Sequence, residues 1–152
     1  MPEIVISDTS CLILLTKINE IHLLQNCYKR IMVTDEVALE FGNDLPAWIE
    51  VRQVKDKSLQ RSFAQLVDMG EASSFSLAME TPDSLLIVDD RKARKIAKSI
   101  GLHVTGTLGI VVKAKERGLI NSVKPILAKL AKTDFRVSDT LINTILDITG
   151  EK

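Results

Sequence analysis

Short runs of consecutive apolar residues recur along the chain, each bounded by polar residues. Continuous runs of this length are typical of strands in a parallel sheet that is covered on both faces. The strands predicted in this way are residues 4–6, 31–33, 85–88 and 102–104. A further segment, residues 49–54, alternates apolar and polar residues, which favours either an edge strand or a surface connection.

Between these runs, apolar residues recur at the three- and four-residue spacing of amphipathic helices. Local signals support several helix ends, because Thr34 precedes an acidic first turn, Gly101 follows a helical pattern, and Pro125 suits a first helical position. The predicted helices are residues 11–17, 20–27, 35–41, 58–68, 71–79, 91–100, 108–117, 125–131 and 139–148.

Strands that alternate with helices predict βαβ units, and therefore an α/β fold around a mostly parallel sheet of four or five strands. A length of 152 residues suits a single domain with a substantial core. The sequence shows no repeat, linker or low-complexity tract. We therefore expect one domain that ends in a helical C-terminal extension.

Composition narrows the classes of partner. The chain carries 20 Lys and Arg residues against 20 Asp and Glu residues, so a nucleic acid must be attracted by a local basic face. A chain without net charge has little electrostatic repulsion between its copies, so we expect that it could form a homodimer.

The cysteines, Cys11 and Cys27, form no CxxC pair and are predicted to be reduced, semi-buried thiols. We expect a cytoplasmic protein, since neither a signal peptide nor a membrane-spanning apolar run is evident.

Several carboxylates follow predicted strands directly. Asp8 comes after the first strand, and Asp89 and Asp90 come after the third. Ligands of open α/β sheets bind at the carboxyl ends of the strands, so these acids are candidates for a site. A helix cap is the plain alternative for Asp8 and for one member of the Asp89–Asp90 pair, but a cap needs only one acid.

Two glutamates lie on or beside the apolar faces of predicted helices. At 100° per residue, Glu40 borders the stripe that contains Phe41, and Glu71 lies between Phe75 and Ala78. Glutamate is rarely buried without a partner. A surface acid for Glu40 and a dipole-favoured first-turn acid for Glu71 are the plain alternatives.

If these acids converge, their repulsion must be relieved. Like charges about 4 Å apart repel by roughly 4 kcal/mol per pair at an effective dielectric constant near 20. Protons or a cation would relieve this repulsion. Because no His or Cys accompanies the acids at ligand spacing, the oxygen ligands favour Mg²⁺ or Mn²⁺ over zinc.

The ordered set of acids and their neighbours resembles the motif blocks of PIN domains, at the spacing of that family. The matching blocks are residues 4–10 with Asp8, 33–40 with Glu40, 70–78 with Glu71, and 86–94 with Asp90. Glu71 departs from the family, which often has aspartate there. The resemblance implies a PIN-like three-layer α/β/α fold. It covers about residues 3–118 and leaves 119–152 as the helical extension of a single domain over residues 1–152.

The resemblance implies a metal-dependent endoribonuclease, often the toxin of a VapC-type toxin–antitoxin pair. RNA would then be the substrate and an antitoxin protein a partner. The implied catalytic residues are Asp8, Glu40, Glu71 and Asp90. Asp8, Glu71 and Asp90 would bind Mg²⁺ or Mn²⁺, with Glu40 and Asp89 as further candidate ligands. Asp90 is favoured over Asp89 because it keeps the family's distance to the following Ala-Arg pair.

Three residues are candidates for contact with RNA phosphates. Thr107 opens the helix after the fourth strand, where a hydroxyl or a backbone N–H would face a phosphate. Arg91 and Arg94 lie on the outward face of the basic helix at residues 91–100. An ordinary helix cap and a solvated charged face are the plain alternatives.

Two other functions remain open. A receiver-type phosphoacceptor module shares the α/β sheet and a Lys-Pro pair, but only Asp8 follows the first strand and Lys124-Pro125 is typical of a helix start. The other alternative is a PIN-like binding or regulatory module with little nuclease activity. The substitution of Glu71 for the common aspartate keeps that alternative open.

Overall fold

In the computed structural model, which describes residues 2–152, a five-stranded sheet has the strand order β3-β2-β1-β4-β5. Every neighbouring pair of strands is parallel. The strands are β1 (Ile4–Ser7), β2 (Arg30–Thr34), β3 (Ile49–Arg52), β4 (Ser84–Ile87) and β5 (Val104–Thr105). The alternating segment at 49–54 supplies the edge strand β3. The predicted α/β class with a parallel sheet is confirmed.

Helices separate the strands, as the periodicity predicted. They are α1 (Thr9–Lys17), α2 (His22–Cys27), α3 (Asp35–Phe41), α4 (Lys57–Phe63), α5 (Met69–Glu80), α6 (Arg91–Ser99), α7 (Thr107–Glu116), α8 (Lys124–Ala131) and α9 (Asp139–Ile148). The Thr34 hydroxyl accepts a hydrogen bond from the Val37 N–H at 3.1 Å, which is the predicted cap of α3. Gly101 has a φ of +88°, in the left-handed region that favours glycine after a helix.

Some predicted boundaries are wrong. The helix predicted over residues 58–68 ends at Phe63, and Asp68 instead caps α5 by accepting a hydrogen bond from the Glu71 N–H at 2.8 Å. Apolar residues continue past Phe63, so periodicity alone does not show this break. Strand β5 also lies slightly later than predicted, because the carbonyls of His103 and Thr105 accept the hydrogen bonds from β4 and Val88.

The alternating faces of the sheet divide the interior into two cores. One face packs against α1, α2, α3 and α7, and this core also takes in α8 and α9 through Val123, Ile126, Leu130 and Ile145. The other face packs against α4, α5 and α6. The predicted three-layer α/β/α arrangement is confirmed. Cys11 and Cys27 form no disulfide, and both are buried, more deeply than the semi-buried positions that were predicted.

The topology brings the ends of two central strands together. Strands β1 and β4 are neighbours, and Ser7 lies opposite Ile87 in the ladder. Residues that follow these two positions therefore leave the same edge of the sheet side by side. Within residues 2–152, no helix combines the length and the apolar character that a membrane crossing requires.

Candidate functional site

Asp8 lies at the carboxyl end of β1 with only 4% of its surface exposed. Its Oδ1 accepts a hydrogen bond from the Cys11 N–H at 2.9 Å, and its Oδ2 accepts one from the Asp89 N–H at 3.2 Å. Burial raises the pKa of Asp8 to about 7, repulsion from Asp89 and Glu71 adds to the rise, and the two N–H donors oppose it. Each carboxylate oxygen receives one donor, so each keeps a lone pair for another partner.

Glu71 occupies the first turn of α5 and is half-buried. Burial raises the pKa of its carboxyl group to about 7, and repulsion from Asp68 and Asp90 adds to the rise. Glu71 also raises the pKa of Asp8. The structure therefore brings Asp8, Glu71 and Asp90 into one electrostatic group. Asp68 joins this group, and the sequence pattern gave no sign of it because its position was predicted to be helical.

Glu40 lies on α3 with an exposed side chain, at the border of the apolar face as predicted. The Thr9 hydroxyl donates a hydrogen bond to its carboxylate. A Cβ atom built at Gly70 would lie 2.7 Å from Glu40 Oε1, which is closer than a Cβ atom comes to an atom that is not bonded to it. Glu40 thus reaches the backbone directly before Glu71 because residue 70 has no side chain. Thr9 and Gly70 are site residues that sequence reasoning missed.

Asp89 and Asp90 both cap helices, but different ones. Asp90 Oδ1 accepts a hydrogen bond from the Ala93 N–H at 2.8 Å and so caps α6. Asp89 Oδ1 accepts from the Thr107 N–H at 2.7 Å, and its Oδ2 accepts from the Thr107 hydroxyl at 2.6 Å. Asp89 therefore caps α7 across the sheet edge. The second acid, which a single cap left unexplained, has this structural role.

The three residues expected to contact phosphate differ in exposure. Thr107 is fully buried, and its hydroxyl donates to Asp89. Arg94 Nε donates to the Val88 carbonyl at 3.0 Å, and its Nη2 donates to the Asp89 carbonyl at 3.3 Å. Thr107 and Arg94 are therefore turned toward the end of β4. Arg91 is exposed at the start of α6, next to Asp90.

Asp8, Glu71 and Asp90 lack a compensating cation within the described part of the chain, whereas Asp89 Oδ1 lies 4.0 Å from Arg94 Nη2. Across residues 2–152, the ion pairs include none with Asp8, Glu71 or Asp90. The only donors these side chains offer an ion are oxygens, which suits hard divalent cations such as Mg²⁺ and Mn²⁺.

These acids are not, however, already arranged as a metal cage. Among residues 2–152, no three His, Cys, Asp or Glu side chains lie close enough together to hold a metal ion in their present conformations. The acids fit a divalent ion by their chemistry. Glu71 and Asp90 are less buried than Asp8 and would have to turn toward it.

Cys11 is not a candidate nucleophile despite its position beside the acids. The side chain is fully buried. Burial raises the pKa of the Cys11 thiol well above its usual value, and the negative charges of Asp8 and Asp89 raise it further. Only the thiolate is a strong nucleophile, so Cys11 is an inert part of the core at neutral pH.

The fold and the site together define an α/β protein with an acidic cluster at the carboxyl edge of a parallel sheet. A family model described as the PIN domain matches residues 4–151, nearly the whole chain and including α8 and α9. The chain belongs to the PIN-domain family, and PIN domains are generally nucleases. This membership confirms the resemblance seen in the sequence and leaves the receiver-type alternative without support. No curated protein and no solved structure matches the chain.

Proposed function

We propose that this PIN domain is an Mg²⁺- or Mn²⁺-dependent endoribonuclease that hydrolyses phosphodiester bonds of RNA. The observation that carries the proposal is Asp8, a carboxylate that is buried at a strand end and repelled by Asp89 and Glu71. Among residues 2–152 it forms no ion pair with a Lys, Arg or His side chain. Binding of a proton or a cation to such a carboxylate lowers the free energy of the folded protein. A divalent cation relieves all of these repulsions at once.

The proposed catalytic residues are Asp8, Glu71, Asp90 and Glu40. Asp8 is the fixed anchor, because both of its oxygens are held by backbone N–H groups. Glu71 and Asp90 would complete the ligand set from the more exposed side, and Glu40 would border it. A bound Mg²⁺ or Mn²⁺ would supply a water of lowered pKa and would neutralise charge on the phosphate. The acids hold and orient this ion, and no side chain acts as a nucleophile.

The outward face of α6 is the proposed path for the RNA backbone. Arg91 is exposed beside Asp90, and the exposed cations Lys92, Lys95 and Lys98 continue along the same helix. These cations supply the local positive charge that a chain with no net charge needs for contact with phosphates. We propose Arg91 as the direct phosphate contact, since it lies nearest to the acids along the chain.

A toxin role with an antitoxin partner is the finer part of the proposal. Large exposed apolar side chains occur on the two helices that carry the glutamates: Leu39 on α3 is 84% exposed, and Met69 at the start of α5 is 52% exposed. We propose that a protein inhibitor uses these side chains as apolar contacts on α3 and α5, the helices that carry Glu40 and Glu71. Expression of the wild-type chain alone should then arrest growth, whereas expression of Asp8→Asn at an equal level should not.

A PIN-like binding module with little nuclease activity is the second candidate. It is favoured by the lack of a tight three-acid group within residues 2–152 and by Glu71 standing where aspartate is common. Such a module would bind RNA and leave it intact, whether or not a divalent ion is present. Cleavage therefore separates the two candidates.

The test uses purified wild-type protein and end-labelled single-stranded RNA with Mg²⁺ or Mn²⁺. We expect cleavage that stops in EDTA and that falls strongly in Asp8→Asn and Asp90→Asn, because each variant removes a negative ligand. Asp134→Asn, at an exposed acid beyond α8, is the matched control and should cleave like wild type. Cleavage that survives both EDTA and Asp8→Asn would contradict the proposal, and intact RNA throughout would favour the binding module.

A further inference from the structure

Asp89 joins three structural elements through hydrogen bonds. Its backbone N–H donates to Asp8 Oδ2 at 3.2 Å, at the end of β1. Its side chain accepts from the N–H and from the hydroxyl of Thr107, at 2.7 Å and 2.6 Å, at the start of α7. Asp89 itself follows β4. One residue therefore connects the buried acid of the site to the first residue of α7.

The carboxylate of Asp89 is already engaged. Each of its oxygens receives a short hydrogen bond from Thr107, which is itself fully buried. A Cβ atom built at Gly106 would lie 2.8 Å from Asp89 Oδ1 and 2.7 Å from Arg94 Nη2, so the backbone closes against the carboxylate on that side. Asp90 differs, because its side chain is exposed and only its Oδ1 accepts a hydrogen bond within residues 2–152.

Arg94 holds the backbone on both sides of Asp89. Its Nε donates to the Val88 carbonyl and its Nη2 to the Asp89 carbonyl. The peptide units on both sides of the Asp89 Cα are thus held by a charged donor. The Asp89 N–H donates a hydrogen bond to Asp8. Its direction is fixed by the hydrogen bonds from Arg94 to the flanking carbonyls and by those from Thr107 to the Asp89 side chain.

We infer that Asp89 is a positioning residue and not a metal ligand. It holds the Asp8 carboxylate through its backbone N–H, and Thr107 and Arg94 hold Asp89 in turn. This inference rests on the proposed nuclease function and refines it, since it assigns the ion-facing position at the end of β4 to Asp90. It also gives Thr107 and Arg94 a role in the site that needs no contact with RNA.

The experiment compares Thr107→Val, which removes the hydroxyl at nearly constant volume, with Thr107→Ser, which keeps it. We expect Thr107→Val to lower kcat by roughly tenfold to a hundredfold, as loss of an outer hydrogen bond does at metal sites, with little change in KM for RNA. Thr107→Ser should keep most of the wild-type kcat. Full kcat in Thr107→Val would overturn the inference.

A second comparison uses Mn²⁺ binding, measured by titration with the metal alone. Asp89→Asn keeps the shape of the side chain and an acceptor for the Thr107 N–H, so it should weaken Mn²⁺ binding less than Asp90→Asn does. A greater loss in Asp89→Asn than in Asp90→Asn would make Asp89 the ligand and overturn the inference.

A third readout is independent of cleavage and of metal. In metal-free protein labelled with ¹³C at aspartate carboxyls, Thr107→Val should shift the signal of Asp8, whereas Thr107→Ser should not. If the wild type neither cleaves RNA nor binds Mn²⁺, the proposed function fails, and this shift alone decides the positioning role. An unchanged Asp8 signal contradicts the positioning role. Should Thr107→Val not fold, Asp89→Asn takes its place in the same comparison.

Discussion

Asp8 and Glu71 are acids whose surroundings oppose their ionisation. Their pKa values rise from 3.8 and 4.5 to about 7, chiefly through burial. In the unfolded chain both groups ionise near their usual values, so between about pH 4 and about pH 7 the folded state binds more protons. The stability that they contribute is therefore present at low pH and is lost as the pH rises toward 7. Hydrogen-bond donors lower the pKa values of Glu50 and Glu151 from 4.5 to about 2. The stability that these two groups contribute is therefore present above pH 4.5 and is lost as the pH falls toward 2.

Asp8→Asn isolates the contribution of Asp8, because asparagine does not titrate. In EDTA, the Tm of Asp8→Asn relative to wild type should rise by several degrees between about pH 4 and about pH 8, as the wild type comes to carry an unfavourable buried charge. The measurement is thermal denaturation followed by circular dichroism. Asp134→Asn should show a flat difference across this range. A flat difference for Asp8→Asn as well would contradict the burial argument.

Gly70→Ala tests the contact between α5 and Glu40. The new Cβ would lie 2.7 Å from Glu40 Oε1 and would displace the Glu40 carboxylate from its place beside Thr9. We expect RNA cleavage to fall strongly. The Tm should change little, because the helix preference of alanine over glycine, about 1 kcal/mol, offsets the cost of displacing the Glu40 side chain.

The double variant Gly70→Ala/Glu40→Gln shows whether this loss acts through Glu40. If it does, the double variant should cleave no more slowly than Glu40→Gln alone. Losses that simply add would show that Gly70 matters for another reason.

At the residue scale, sequence reasoning found the acids but not the residues that hold them. Asp8 and Glu71 stood out because an acid at a strand end or on an apolar helix face has an unfavourable environment. Thr9 and Gly70 carry no such local signal, and the position of Thr107 at a helix start predicted a phosphate contact instead of its hydrogen bonds to Asp89. Their roles depend on contacts between residues far apart in the chain, which appear only once the fold is known.

At the element scale, periodicity predicted most helices and strands because each buries one apolar face against the sheet. It failed where capping competes with periodicity. Apolar residues continue past Phe63, yet the carboxylate of Asp68 accepts from the Glu71 N–H and begins a new helix there. This boundary matters for function, because it places Glu71 in a first turn beside a second acid.

Helix α6 carries the proposed RNA contact, and its two ends make a matched test. Arg91 lies in the first turn beside Asp90, whereas Lys98 lies in the last turn, about 10 Å away along the axis. In EDTA, Arg91→Ala should weaken binding of single-stranded RNA and reduce its salt dependence by about one counterion, as measured by fluorescence anisotropy. Lys98→Ala should have the smaller effect. Equal effects would indicate a solvated basic face without a defined RNA path.

For the whole molecule, the sheet order places the candidate site. Strands β1 and β4 are central and adjacent, so acids that follow them share one edge. The α/β class, the parallel sheet and the family were predictable, since they follow from the order of elements and motif blocks. The packing of α8 and α9 into one of the two cores was not predictable, because an amphipathic helix face indicates burial without indicating which element covers it.

Mass action predicts that a bound ion stabilises the whole fold. Mg²⁺ or Mn²⁺ at about 100 times its Kd should add about 2.7 kcal/mol of stability, a rise of several degrees in Tm. Asp8→Asn should blunt this rise because it removes the anchoring carboxylate, and Asp134→Asn should keep it. Differential scanning fluorimetry against metal concentration makes the measurement. Equal shifts in wild type and Asp8→Asn would place any bound ion elsewhere.

The central claim is that the acids at the carboxyl ends of β1 and β4 form one divalent-metal site. Anomalous diffraction from a crystal soaked in Mn²⁺ tests it most directly, since it reveals the ion and its ligands together. The account predicts an anomalous peak coordinated by Asp8 and by Glu71 or Asp90. Saturating Mn²⁺ with no peak at this edge of the sheet, or with a peak held only by other residues, would contradict it.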